Sequence, residues 1–152
     1  GNESVKKRLP PPKYFNILVV LAILLHFIWP VKRVIHAPLT YLGLGFILLG
    51  VWLNIWSTKL LREQKTTTSI NEKPNNLVVT GPFSMSRNPI YLSGIILLVG
   101  IATLLGSLTP FLLPLALLLI LDRLYIPSEE KFLEELFGQA YLDYKKKVRK
   151  WI

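Results

Sequence analysis

The sequence has no cysteine and only two histidines, His26 and His36. Without cysteine the chain has no disulfide, no thiolate ligand for a metal and no cysteine nucleophile. Two histidines make a histidine-based metal site a poor interpretation, and we expect no metal. His26 lies inside an apolar run, where a packed polar residue is favoured over a ligand.

Acidic residues are also scarce, with nine Asp and Glu against 18 Lys and Arg, for a net charge of +9. The apolar runs at 14–29, 39–56 and 89–105 contain no acid at all. This argues against a small multidrug transporter, since such pumps couple to protons through an acid buried in a span. The basic residues avoid the apolar runs, which is typical of flanks beside membrane spans, so we expect no nucleic-acid partner.

Hydrophobic residues, by contrast, make up 51% of the 152 residues. They predict an all-α integral membrane protein of one domain, 1–152, with about four transmembrane helices. A tight turn at Gly106-Ser107-Leu108 predicts that the last two form an antiparallel hairpin within 89–126. Three glycines of the second span would let a neighbouring helix approach closely. The predicted spans are Tyr14–Trp29, Leu39 to about Trp56, Pro89 to about Leu105, and Thr109 to about Leu121 or on to Ile126; the glycines are Gly43, Gly45 and Gly50.

Three polar segments flank these spans: a basic one at 1–13, a long loop at 57–88 and a tail at 127–152. Thr66-Thr67-Thr68 has strand and turn chemistry. In the tail, Ser128 is the predicted N-cap of an amphipathic helix that breaks near Gly138 and lies on the membrane surface or caps the spans. With four spans the polar segments share one side, which the positive-inside rule places in the cytosol.

Arg87 is the strongest candidate for chemistry. Proline at 89 suits the first turn of a helix, and Asn88 before it is pushed out of helical geometry. Arg87 is thus held outside a helix N-terminus, an arrangement that favours a carboxylate or phosphate, with Tyr91 able to turn to the same ligand. The alternative is an interfacial arginine beside an aromatic-belt tyrosine.

Acidic residues in and before the tail are the next candidates. Glu129 and Glu130 are either ordinary first-turn acids or acceptors for ribose hydroxyls or an ammonium group. Asp122 and Arg123, followed by Tyr125, suggest a polar cavity that takes the substrate, or an interfacial ion pair.

Two motifs resemble a known superfamily. Residues 80–92, TGPFSMSRNPIYL, resemble the G-P-[YF]-x-x-x-R-[HN]-P-x-Y signature of the isoprenylcysteine carboxyl methyltransferase and phospholipid methyltransferase superfamily. The tail resembles its E-E-x-x-L…F-G…Y…Y ending, and Thr67-Thr68 also fits. Both motifs at this separation favour a small prokaryotic-type member.

The resemblance implies an integral methyltransferase of a prokaryotic cytoplasmic membrane that uses S-adenosylmethionine. The cofactor would lie in a cytosol-side pocket closed by the long loop and capped by the C-terminal amphipathic helix. A lipophilic acceptor would enter from the bilayer: a prenylcysteine-type carboxylate, a phospholipid amine or another amphiphile. By position, Arg87 and Glu130 would be catalytic. The implied cofactor-binding residues are Gly81, Phe83, Arg87, Asn88, Pro89, Tyr91, Glu129 and Glu130.

Two departures from the family pattern affect the acceptor. Asn88 replaces a histidine found in many members, and it cannot titrate as a base. Arg123 is out of register with an arginine that is thought to meet the substrate carboxylate, which puts prenylcysteine in doubt. An amine acceptor would need a base, and Glu130 and Asp122 are the candidates. The remaining alternatives are a small four-span transporter or structural protein, and a membrane reductase that uses NADPH.

Overall fold

The structure, a computed structural model, describes residues 15–64 and 76–152. These residues form helices and turns without a named β-strand, which confirms the predicted all-α class. The predictions for residues 1–14 and for Thr66-Thr67-Thr68 fall outside the described residues. The α-helices of the described residues are α1 (Phe15–Ile28), α2 (Leu42–Glu63), α3 (Pro89–Leu105), α4 (Leu112–Ile120), α5 (Ile126–Phe137) and α6 (Gln139–Lys147).

Within residues 15–64 and 76–152, two helical stretches are long and apolar enough to cross a membrane, Leu39–Glu63 and Thr109–Phe137. Helices α1 and α3 are apolar but shorter, so the count of four spans stays a prediction. Large apolar side chains are exposed on the first two helices, for example Phe27 at 75% and Leu48 at 70%. Water would disfavour such a surface, whereas hydrocarbon would not.

The contacts divide the described chain into two compact units. The first holds residues 53–64, 76–90 and 120–152, and the second holds 15–52 and 91–119.

In the second unit, α2 and α3 pack through small residues. A Cβ added at Gly43 would overlap the Gly100 carbonyl, and one at Gly50 would lie 2.9 Å from the Ser93 carbonyl. The predicted close approach is therefore correct at Gly43 and Gly50, because contact there leaves no room for a side chain. It is wrong at Gly45, whose added Cβ would meet nothing within 4 Å.

The turn between α3 and α4, which the sequence predicted, is tied to α1. The Thr109 hydroxyl donates to the Trp29 carbonyl at 2.6 Å, and His26 Nδ1 lies 2.8 Å from Ser107 Oγ. His26 is thus hydrogen-bonded to a neighbouring element within the unit, as expected of a packed polar residue.

Helix α2 extends seven residues beyond the predicted end at Trp56, so 57–63 is helix and not loop. These residues have no glycine or proline to stop the helix, and Lys59 and Glu63 form an exposed pair one turn apart, 3.9 Å between Nζ and Oε1. The polar side chains of 57–63 therefore belong to the last turns of α2 and not to a loop.

The predicted N-cap at Ser128 is also wrong. The helical backbone runs without a stop from Leu112 through a π-turn at Leu121–Tyr125 and into α5. Pro127 lies at the start of α5, directly after that turn. Proline has no backbone N–H to donate, and the shifted hydrogen-bond pattern of the π-turn lets the helix continue without that bond. The acidic pair therefore lies along a continuous helix and not at a free helix start.

The predicted break near Gly138 is confirmed. Gly138 has φ +59° and separates α5 from α6, while Phe132, Tyr141 and Tyr144 are buried. A positive φ suits glycine at a helix end. The bend directs α6 back over α5, and this return places Lys145 of α6 beside Glu130 and Glu134 of α5.

Candidate functional site

Arg87 and Glu130 form a buried ion pair in the first unit. Arg87 Nη1 lies 2.8 Å from Glu130 Oε1, and the two side chains are only 9% and 12% exposed. The loop before α3 supplies the cation and α5 supplies the anion. Residues separated by 43 positions in the sequence (130 − 87) thus meet in one site. Removing two charges from water is costly, and a buried ion pair often adds little to stability. This favours a functional use of the pair.

This pair has hydrogen-bonding capacity left over. The 2.8 Å separation is that of a close ion pair, yet Arg87 Nη1, Arg87 Nε and Glu130 Oε1 make no well-directed hydrogen bond within the described ranges. Buried polar atoms are nearly always hydrogen-bonded in folded proteins. Unused donors and acceptors on both partners are what a site for a polar ligand requires.

Lys145 of α6 completes a charge cluster around the pair. Its Nζ lies 3.3 Å from Glu130 Oε2 and 2.9 Å from Glu134 Oε1. The hydrogen bond to Glu134, together with the negative charge of Glu130, raises the pKa of Lys145. Each oxygen of Glu130 therefore faces a cation, Arg87 on one side and Lys145 on the other.

Two tyrosines of α6 line the same region. Burial and the charge of Glu130 raise the pKa of Tyr141, whose hydroxyl also interacts with Arg87. Burial likewise raises the pKa of Tyr144, whose hydroxyl donates to the Phe83 carbonyl at 2.6 Å. Both phenols remain protonated near neutral pH; Tyr144 donates its hydrogen, whereas the Tyr141 oxygen can accept from Arg87.

Gly81 and Phe83 lie in a 3-10 turn, Gly81–Ser84, that leads into Arg87. Gly81 has φ +60°, and an added Cβ would lie 3.0 Å from Leu60 Cδ2 of α2. The turn needs glycine for its backbone and for its close fit to α2. This packing, with the bond from Tyr144, fixes the loop that carries Arg87.

Asn88 supports the loop through its side-chain amide. Nδ2 donates to the Lys150 carbonyl at 3.0 Å, and the Asn88 backbone N–H donates to Ser86 Oγ at 3.0 Å. Pro89 is buried and is the first residue of α3, as predicted. At least part of the hydrogen-bonding capacity of Asn88 thus serves the protein's own backbone.

The other predicted site residues lie in different places. Glu129 precedes Glu130 on α5, while Tyr91 lies in α3 and belongs to the second unit. Asp122 accepts hydrogen bonds from Lys150 and Trp151. Arg123 is 78% exposed with its Nε 3.6 Å from Asp122 Oδ2. Tyr125 is half-buried in the same π-turn.

Sequence reasoning gave no role to Lys145, Tyr141 or Tyr144. The two tyrosines stand in the tail motif, which was a usable signal. Lys145 is the first of three consecutive lysines, and nothing in its type or spacing distinguishes it. Only the bend at Gly138 brings it to Glu130.

Comparison with known proteins places these features in context. A family model described as phospholipid methyltransferase matches residues 39–140. A protein-S-isoprenylcysteine O-methyltransferase from Schizosaccharomyces pombe is 29% identical over 143 residues, which cover 90% of this chain and 56% of that protein. An uncharacterized protein from Haemophilus influenzae is 35% identical over 63 residues, 41% of this chain and all of that protein.

A solved structure, that of the eukaryotic intramembrane Ras methyltransferase ICMT, isoprenylcysteine carboxyl methyltransferase, has a similar fold. The TM-score is 0.73 at 26% identity, and the match covers 95% of this chain and 53% of that one. Fold and site together define an all-α protein with membrane-length apolar helices and a buried charge pair at the start of α3. The chain belongs to the phospholipid methyltransferase family, as the two motifs predicted. It spans about half the length of the Schizosaccharomyces pombe relative and of the solved structure.

Proposed function

We propose that this chain is an integral membrane methyltransferase that uses S-adenosylmethionine and acts on a lipophilic acceptor. The observation that carries the proposal is the buried Arg87–Glu130 pair with unused hydrogen-bonding atoms on both partners. Family membership supplies the class of reaction.

The residues of the first unit fit the methyl donor. The planar fork of Arg87 suits the carboxylate of its amino-acid end, and its Nε and Nη1 make no well-directed hydrogen bond within the described part of the chain. Glu130, with Glu129 beside it, suits ribose hydroxyls or the ammonium group. Gly81 and Phe83 would shape the loop beside the adenosine. Asn88 and Pro89 hold Arg87 in place, and Tyr91 stays a prediction.

The bound donor supplies an electrophilic methyl group on a sulfonium. The protein's task is therefore to bind, align and exclude water. The two acids predicted as bases are both engaged, Glu130 by Arg87 and Lys145, Asp122 by Lys150 and Trp151. This favours an acceptor that brings its own free electron pair, such as a carboxylate or an amine that has already lost its proton.

The acceptor that fits best is an amphiphile with a nucleophilic head and an apolar body. The exposed apolar surface of α1 and α2 suits a chain that resides in lipid. The family description names a phospholipid, and the name of the Schizosaccharomyces pombe relative contains an isoprenylated cysteine. Both are amphiphiles of this kind. We place the site on the cytosolic side, since the tail is rich in lysine and arginine.

The binding test is calorimetry of S-adenosylhomocysteine with the protein in detergent and in lipid nanodiscs. We expect binding by the wild type and a loss of at least about tenfold in Arg87→Lys, which keeps the charge but not the fork. Glu130→Gln should lose a similar factor. The matched controls are Arg62→Lys on α2 and Glu135→Gln on α5, both exposed, and both should bind as the wild type does.

The activity test follows a labelled methyl group from the donor into added lipid. One set of nanodiscs carries a phospholipid with a primary amine head, and the other carries a prenylated cysteine analogue. Label in either lipid, absent in Arg87→Lys, supports the proposal. A folded wild type that neither binds S-adenosylhomocysteine nor labels any lipid contradicts it.

A further inference from the structure

Residues 148–151, which we call the strap, follow α6 and lie against the loop that carries Arg87. The backbone N–H of Arg87 donates to the Arg149 carbonyl at 3.0 Å. The Lys150 carbonyl accepts from Asn88 Nδ2 at 3.0 Å and from Ser86 Oγ at 3.3 Å. Three consecutive residues of the loop are therefore bound to two carbonyls of the strap.

The side chains of the strap point to a different element. Lys150 Nζ lies 3.1 Å and Trp151 Nε1 lies 3.0 Å from the same oxygen, Asp122 Oδ1. Asp122 lies in the π-turn before α5, the helix that carries Glu130. Its carboxylate is 26% exposed, so water competes only in part for these bonds.

We propose that Asp122 is a positioning residue that fixes the strap and, through it, the backbone of Arg87. The carboxylate holds the strap by one charge-assisted hydrogen bond from lysine and one from indole. The strap carbonyls then hold Ser86, Arg87 and Asn88. Asp122 therefore acts on the Arg87–Glu130 pair without touching it.

Several observations favour this role over that of a base or a substrate contact. Asp122 Oδ1 is occupied by two donors, and Oδ2 faces the exposed guanidinium of Arg123. A base needs a lone pair open to the acceptor. The strap also explains why an asparagine suits position 88. Its side-chain N–H₂ donates to the Lys150 carbonyl, and this contact requires a hydrogen-bond donor but no titratable group.

The decisive experiment is hydrogen exchange of the peptide covering residues 83–88, measured on the full chain in detergent. In Asp122→Leu we expect the amides of Arg87 and Asn88 to exchange about tenfold faster, the factor set by losing a charge-assisted hydrogen bond. Peptides from the second unit, such as 97–105, should exchange as in the wild type. The matched control is Asp143→Asn, since Asp143 is exposed and accepts only a bond from Gln139 among the contacts seen here.

Milder variants keep the test informative if Asp122→Leu does not fold. Trp151→Phe removes the indole N–H but keeps a smaller aromatic ring. Lys150→Met removes the charge, with Lys146→Met as its control. Trp151→Phe and Lys150→Met should each speed hydrogen exchange of the Arg87 amide, and Lys146→Met should not. In a double-mutant cycle, Trp151→Phe should cost less in the Asp122→Asn background than alone, because the two residues act through one contact.

A kinetic readout separates positioning from chemistry, and this part rests on the proposed function. Asp122→Asn should raise KM for S-adenosylmethionine several-fold with little change in kcat. A fall in kcat at unchanged KM, with a shifted pH profile, would make Asp122 a base and overturn the proposal. Unchanged exchange of residues 83–88 in folded Asp122→Leu would also overturn it. Hydrogen exchange does not depend on the cofactor. It therefore tests whether Asp122 fixes the strap even if the wild type binds no S-adenosylhomocysteine.

Discussion

Arg87 Nη1 lies 2.8 Å from Glu130 Oε1, in a pair of side chains that are only 9% and 12% exposed. Such a pair is easier to replace than to break, because removing one partner leaves an unpaired buried charge. The effect of the pair on stability can therefore be separated from its effect on ligand binding, and the first prediction does so.

Arg87→Ala should lower the stability of the protein by about 3 kcal/mol, the lower end for a broken buried pair, since Lys145 still faces Glu130. The double variant Arg87→Met with Glu130→Met removes both charges and should recover most of that loss. It should nevertheless fail to bind S-adenosylhomocysteine. Thermal unfolding in detergent and calorimetry measure the two effects. A double variant less stable than Arg87→Ala would contradict this view of the pair.

Lys145 should contribute stability that depends on pH. Its pKa is raised by the hydrogen bond to Glu134 and by the charge of Glu130. A cation with a raised folded-state pKa contributes fully below its unfolded pKa, near 10.5, and the contribution is lost as the pH rises through the folded value. Lys145 is 38% exposed, so screening limits the effect to about 1 kcal/mol or less.

The measurement compares Lys145→Met with Lys146→Met, its exposed neighbour, by thermal unfolding between pH 7 and pH 11. Lys145→Met should have the lower Tm at pH 8, and the difference between the two variants should vanish above the folded pKa. A difference that does not shrink as the pH rises past 10.5 would mean that Lys145 acts through packing of its aliphatic stem.

Asn88→Asp tests whether this side chain serves as a donor. The change is nearly isosteric, but it turns an acceptor oxygen toward the Lys150 carbonyl, which Asn88 Nδ2 now contacts at 3.0 Å. We expect a loss of about 1–3 kcal/mol in stability at neutral pH. Asn76→Asp is the control, since Asn76 donates to the Gln64 carbonyl at an exposed position where water can substitute. Equal losses in both would argue against a special place for Asn88.

Sequence reasoning succeeded where a residue type has one dominant use. Pro89 marks the start of α3 and Gly138 marks the break before α6, because each fixes the local backbone. Arg87 was selected because Pro89 holds it just outside a helix N-terminus, and Glu130 because it belongs to an acidic pair that could accept hydrogen bonds from a ligand. The structure brings these two together.

The misses have physical causes as well. Ser128 was predicted to start a new helix, but the π-turn at Leu121–Tyr125 lets the preceding helix continue through Pro127. The strap binds through backbone carbonyls, which every residue has, so no pattern of residue types announces it. Lys145 reaches Glu130 only because of the bend at Gly138, and the angle of a bend is not encoded in periodicity.

The last prediction concerns the glycines of α2, where the sequence suggested one role for three residues and the structure separates them. A Cβ at Gly43 would overlap the Gly100 carbonyl, whereas one at Gly45 would point into open space. Gly43→Ala should therefore force the backbones of α2 and α3 apart and lower stability by about 2 kcal/mol or more, since overpacking typically costs 1–3 kcal/mol. Gly45→Ala should raise stability by up to about 1 kcal/mol, because alanine is the better helix former. Thermal unfolding of the two variants side by side decides it. If Gly45→Ala proves as harmful as Gly43→Ala, the face of α2 that meets α3 is assigned wrongly, and with it the packing of the second unit.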